Sequence, residues 1–108
     1  MNTLTKHTCD DKVSKAIDTV LRKIFGGEST LLIYKYLENR YSLGQDEIVD
    51  RIDVFAKGLE EFLRSGANII EQKILENVYS NYDVPRRLES ERSEYDFVGQ
   101  MKLLLQKT

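Results

Sequence analysis

The chain has 108 residues, with 16 Lys and Arg against 18 Asp and Glu, one His, one Cys and one Pro. This length predicts a single domain with one modest core, and one cysteine excludes an internal disulfide. A net charge of −2 and a pI near 5.4 argue against a protein whose main task is to grip phosphate backbones.

No apolar run approaches the roughly 18 residues that a membrane span needs. The first 25 residues also lack the basic, apolar and small segments of a signal peptide in their required order. We therefore expect a cytoplasmic protein with no membrane contact.

The first predicted hairpin follows a polar stretch, residues 1–10, that we expect to form a frayed tail. Asp10 or Asp11 can cap the first helix. Gly26-Gly27 supplies the positive-φ residue that ends it, and a second helix runs to about Tyr41. The apolar positions of the first helix follow helical spacing: Val13, Ile17, Val20, Leu21 and Ile24. The inner stripe of the second includes Leu32, Tyr36 and Leu37.

The second predicted hairpin repeats this order. Residues 45–50 are expected to form one turn of a linker helix. Asp50 or Asp53 then opens a helix, Gly66 breaks it, and Asn68 restarts another. The apolar positions of these two helices are Phe55, Leu59, Phe62, Leu63, Ile70, Ile74, Leu75, Val78 and Tyr82.

Pro85 closes the second hairpin, because the residue before a proline is pushed out of helical space. Residues 86–94 are charged and read as a solvated linker, and Ser93 with Asp96 resembles a capping box. The last helix carries apolar side chains around most of its circumference, so it must be covered on several sides. Either the chain's own core covers it, or a protein partner does, through Phe97, Val98, Met101, Leu104 and Leu105.

The two hairpins are related by an offset of 38 residues. Residues 21–42 and 59–80 share seven identities without a gap, and each copy carries a helix breaker near the same place. The sequence therefore predicts an all-α fold of two helix-turn-helix hairpins, related by a 38-residue pseudo-repeat, plus a C-terminal helix. The predicted boundaries are a tail at 1–10, hairpins at 11–44 and 45–84, and a linker with the C-terminal helix at 85–108.

Residues 21 to about 82 resemble a small archaeal family, the Nitrosopumilus output domain. The resemblance rests on the apolar spacing and glycines of residues 21–27, 36–48 and 55–79. In that family a glycine follows the large apolar residue of the second turn directly, whereas here Arg64 and Ser65 precede Gly66. The resemblance implies an archaeal signalling-output module without a catalytic motif.

No cluster of residues predicts an enzyme, a cofactor or a metal. His7 and Cys9 have no further Cys or His to complete a zinc site. Gly26-Gly27-Glu28-Ser29 lacks the Lys-Ser/Thr of a P-loop and follows a helix instead of a strand. Adjacent carboxylates point about 100° apart on a helix, which excludes ready acid–base pairs at Asp10-Asp11, Asp46-Glu47 and Glu60-Glu61.

Two functions remain open. The first is a non-enzymatic signalling-output or regulatory module that binds a protein partner, with a second copy of the chain as one candidate. The alternative is a small helical transcriptional regulator that contacts DNA. Its second helices would present Lys35, Asn39 and Arg40, or Gln72, Lys73 and Asn77, but Glu38, Glu71 and Glu76 lie among them.

Overall fold

The computed structural model describes the backbone of residues 2–81 and 96–106, and the side chains of residues 11–81 and 96–105. The helices are α1 (Asn2–Tyr41), α2 (Ile52–Leu63), α3 (Ala67–Asn81) and α4 (Phe97–Gln106). Short 3-10 turns lie at Gln45–Glu47 and Arg64–Gly66. No strand occurs in these ranges, so the predicted all-α class is confirmed. The pseudo-repeat stays a prediction.

Helix α1 is broken at Gly26, as the sequence predicts. Gly26 has φ 84° and ψ 169°, a combination that is essentially restricted to glycine. The Tyr34 hydroxyl donates to Asp18 Oδ1 at 2.8 Å across this break. Sixteen residues of straight helix would span about 24 Å, so the first arm of α1 (residues 2–25) and its second arm (27–41) must fold toward each other.

The ends of the helices differ from the sequence predictions in several places. Neither Asp50 nor Asp53 is the N-cap of α2, which begins at Ile52 after Arg51. The backbone is helical from Asn2, through the stretch expected to fray, because no glycine or proline interrupts residues 2–25. The second break has its positive φ at Arg64 and not at Gly66. The Gly99 amide donates to Asp96 Oδ1 at 2.8 Å, so Asp96 caps α4. Tyr82, Pro85, Ser93 and the linker lie outside the described residues.

The four helices of the described ranges contribute to one core. Phe55 of α2 is fully buried and its ring lies 6.4 Å from that of Phe97 in α4. The Tyr79 hydroxyl of α3 donates to Gln100 Oε1 at 3.0 Å, which ties α4 to α3 as well. The chain therefore covers one face of its C-terminal helix by itself. Within the described ranges, no helix is long and apolar enough to cross a membrane.

Candidate interaction surface

The five residues of the C-terminal helix predicted to bind a partner differ in how deeply they are buried. Phe97, Met101 and Leu104 are buried in the core, where they pack with α2 and α3. Val98 and Leu105 are half-buried at its edge. The apolar excess of α4 is thus largely explained by burial within the chain. Partner binding through these residues stays a prediction.

A different set of apolar side chains is exposed. Ile24, Leu32 and Phe62 were expected on inner stripes, and in this respect the sequence prediction was wrong. Leu32 of α1 is 60% exposed and Phe62 of α2 is 41% exposed. The large apolar residues exposed in this way are Ile24, Leu31, Leu32, Phe62 and Ile69.

Leu32, Tyr36 and Phe62 form what we call the aromatic patch. The rings of Tyr36 and Phe62 meet edge to face, with centroids 5.1 Å apart and an interplanar angle of 62°. Leu32 lies one helical turn before Tyr36, on the same side of the second arm of α1. The patch therefore spans the junction between α1 and α2.

The approach of α2 to the second arm of α1 creates this junction. At the start of α2, Arg51 donates from Nη1 to the carbonyl of Ser42 at 3.1 Å and from Nη2 to that of Tyr41 at 3.2 Å. Further along, Gly58 packs against Leu37 and Tyr41. A side chain at position 58 would hold the helices apart, so this glycine allows Phe62 to reach Tyr36.

Polar groups border the aromatic patch on one side. Glu61 Oε1 accepts a hydrogen bond from the Tyr36 hydroxyl at 3.1 Å and lies 3.5 Å from Arg40 Nε. The buried Tyr41 hydroxyl has no hydrogen-bond partner in the described part of the chain but lies near the same carboxylate. Interaction with Tyr41 and then with Tyr36 and Arg40 lowers the pKa of Glu61, against the effect of its partial burial. Glu61 is therefore held as a carboxylate beside an exposed guanidinium.

A second surface feature is a groove of about 510 Å³ between the first arm of α1 and α3. Val20 and Ile24 contribute apolar surface, and Lys23 and Lys73 contribute one cation from each helix. The Lys73 ammonium is 3.8 Å from Glu76 Oε1, which offsets its charge. The remaining lining residues are the polar side chains Asn77, Ser80 and Asn81.

Glu71 is a buried carboxyl group of α3. It is only 8% exposed, on the face of α3 that packs into the core. Its burial, with the negative charges of Glu60 on α2 and Asp96 at the start of α4, raises the pKa of Glu71 to about 7. The carboxyl group of Glu71 therefore lies where α3 faces α2 and the start of α4. No group of three or more potential metal ligands occurs among the described residues.

The side chains predicted for DNA contact do not form a basic surface. Arg40 is paired with Glu61 and Lys73 with Glu76. Glu71 is turned into the core, and Lys35, Asn39 and Gln72 are exposed. Each cation that is paired with a carboxylate must give up that partner to contact a phosphate. Contact with DNA stays a prediction that this pairing disfavours.

The remaining site residues and the comparisons with known proteins add no chemistry. The side chains of His7 and Cys9 lie outside the described residues. No family model matches the chain, and no similar curated protein or solved structure was found. The resemblance to the Nitrosopumilus output domain therefore stays a prediction.

The aromatic patch was missed from the sequence; the 38-residue offset matches exposed positions with one another, but only Phe62 among them belongs to the patch. At the 38-residue offset, Ile24 is opposite Phe62 and Leu31 is opposite Ile69. All four side chains are exposed. Helical periodicity placed Ile24 and Phe62 inside because it marks an apolar stripe without showing where the stripe ends.

Proposed function

We propose that this chain is a cytoplasmic, non-enzymatic interaction module that binds a protein partner through the aromatic patch. The observation that carries this proposal is the exposed contact between Phe62 and Tyr36, extended by Leu32. The resemblance to archaeal output modules supports the further proposal that this binding transmits a signal.

The composition of the patch supports binding. Single exposed apolar residues are common on protein surfaces and need no explanation. Here two exposed apolar residues flank a tyrosine, and an arginine lies at the edge through its contact with Glu61. Aromatic residues and arginine carry a large share of binding energy when a partner excludes water from them.

The patch is also held in a defined geometry. The hydrogen bond from Tyr36 to Glu61 fixes the tyrosine ring, and the edge-to-face contact with Phe62 restricts the second ring. Side chains that are already ordered lose less conformational entropy when a partner binds. This arrangement favours recognition of a protein surface over a loose apolar contact.

Site-specific photo-crosslinking tests the proposal. Phe62 is replaced by p-benzoylphenylalanine in the full chain, which is expressed in its source cell and irradiated. We expect a discrete crosslinked adduct that is lost when Leu32→Ser is added. The matched control places the same probe at Ile69, an exposed apolar residue of α3 outside the patch.

The result that contradicts the proposal is equally specific. If the probe at position 62 gives no adduct, or gives the same adducts as the probe at position 69, the patch does not bind a protein. Circular dichroism of each variant checks that the helices remain intact. The mass of the adduct then identifies the kind of partner.

A further inference from the structure

We propose that the partner of the aromatic patch is a second copy of this chain, in a two-fold symmetric dimer that pairs Arg40 of each copy with Glu61 of the other. This inference rests on the proposed function, because it needs the patch to be a binding surface. It goes further in naming the occupant and the contacts that select it.

The charges beside the patch are the first argument. In a two-fold interface the same surface of each copy faces the other. A surface that carries charges of only one sign is therefore repelled by the same surface of the second copy. Here the edge carries one cation and one anion, Arg40 and Glu61, at 3.5 Å from each other. A rotation that places Arg40 against Glu61 also places Glu61 against Arg40. The edge is therefore complementary to itself.

Both groups have capacity for a second partner. The Arg40 side chain is 61% exposed, and a guanidinium has five N–H donors. The Glu61 side chain is 34% exposed; its contacts with Tyr36 and Arg40 both use Oε1, and the Tyr41 hydroxyl lies near the same carboxylate. A carboxylate can bind a guanidinium through both of its oxygens. An exchange across the interface therefore adds contacts without unpairing either charge.

The overall charge also favours self-association. The net charge of −2 gives little repulsion between two copies. A surface built for a strongly acidic or basic partner would instead carry an excess of one sign beside its apolar centre. The neutral edge of this patch fits a partner with the same balance.

The expected dimer is weak. Two exposed side chains and one half-buried tyrosine make a small apolar centre, at the low end of specific interfaces. We expect a dissociation constant on the order of 10 µM to 1 mM. Sedimentation equilibrium of the full chain up to about 1 mM covers this range.

Charge reversal tests the pairing directly. Arg40→Glu and Glu61→Arg are expected to weaken dimerisation at least about ten-fold each, because each places like charges in contact. A mixture of the two variants should form a heterodimer within about three-fold of the wild-type affinity, since every contact across the interface is again between opposite charges. The like-charge pair that each substitution creates within its own copy is present in the monomer as well as in the dimer.

The controls separate specific pairing from general attraction. Lys102→Glu of α4 and Glu76→Arg of α3 make the same charge changes at exposed positions on other helices. Each should dimerise like wild type, and mixing them should add nothing. If that mixture gains affinity as the test mixture does, net charge drives association and the inference is overturned.

The apolar contact has its own test in case a charge variant does not fold. Phe62→Ser removes a side chain that is already part exposed, so the fold should survive, and we expect the dimer to be lost. Unchanged dimerisation of this variant overturns the inference.

The crosslink from position 62 distinguishes this inference from the proposed function. A wild-type monomer at about 1 mM, together with an adduct to a different protein, overturns the dimer and leaves the proposed function standing. An adduct of twice the chain mass that disappears with Arg40→Glu supports both.

Discussion

Gly26 and Arg64 lie 38 residues apart, and both have a positive φ immediately after a helical segment, 84° and 57°. Glycine adopts such a conformation freely, whereas a side chain strains it. Arg64 has ψ −128°, which lies outside the left-handed helical region that other residues sometimes visit. The chain thus makes one break with a residue suited to it and the other with a residue that is not.

The conformation of Gly26 predicts the cost of a side chain at that position. Gly26→Ala should lower the free energy of unfolding by about 1–3 kcal/mol. An added Cβ meets no atom within 4 Å, so the whole cost comes from the backbone. Gly27→Ala is the matched control, because Gly27 has helical dihedrals and its Cβ would meet only the flexible end of Arg22 at 3.4 Å. Urea denaturation should show the loss for position 26 alone.

Arg64→Gly should make the protein more stable. Relief of the backbone strain, about 1–3 kcal/mol, outweighs the roughly 0.5–1 kcal/mol that glycine costs by freeing the unfolded chain. We expect a net gain of about 1 kcal/mol in urea denaturation. Arg64→Ala keeps the Cβ and removes the exposed guanidinium, so it should change little. If both variants gained the same stability, the gain would come from removing the arginine side chain, and the explanation by backbone strain would be wrong.

Gly58→Ala should destabilise the contact between α1 and α2. The new Cβ would lie inside the contact distance of Leu37 Cδ2, and Leu37 is buried. Overpacking of this kind lowers the free energy of unfolding by about 1–3 kcal/mol. The higher helix propensity of alanine offsets up to about 1 kcal/mol of that loss. In a Leu37→Ala background the clash is absent, and Gly58→Ala should become neutral or stabilising. A double-mutant cycle in urea measures this change, and additive effects would refute it.

Glu71 predicts a pH dependence with a definite sign. Its pKa in the folded chain is about 7, above the usual 4.5, because burial and the charges of Glu60 and Asp96 disfavour the carboxylate. The unfolded chain therefore loses this proton first. The contribution of Glu71 to stability is fully present below about pH 4.5 and is lost as the pH rises to about 7.

Glu71→Gln should remove this loss of stability between about pH 4.5 and 7. Above pH 7 it should add about 1–3 kcal/mol to the free energy of unfolding. Thermal denaturation between pH 4.5 and 8 provides the measurement. Glu76→Gln changes an exposed glutamate of the same helix and should leave the loss of stability unchanged. An unchanged loss of stability in the Glu71→Gln variant would mean that another group titrates.

Local signals in the sequence were sufficient for the helices and for the two ends beside Gly26 and after Tyr41. The break at Gly26 and the turn after Tyr41 follow from glycine and from the loss of apolar periodicity, which depend on near neighbours in the chain. The same reasoning expected the second break at Gly66, but the positive φ is at Arg64. Nothing about an arginine in the sequence predicts a positive φ. Arg64 adopts it because the residue stands directly after the last residue of α2, where the chain turns.

Burial depended on the tertiary structure, because it is set by segments far apart in the chain. Ile24, Leu32 and Phe62 have apolar side chains at helical spacing, but no neighbouring helix covers them fully. The same packing buries the carboxyl of Glu71 and the amide of Gln100.

The sequence by itself determined an all-α chain, the break at Gly26 and the capacity of the last helix for burial, since local backbone preference and apolar content are written in each segment. Only the tertiary structure decided that α4 packs against α2 and α3, that Tyr36 and Phe62 meet, and that Leu32 and Phe62 stay exposed. The close approach that Gly58 permits between α1 and α2 joins Tyr36 and Phe62, and no pattern within either helix specifies that pairing.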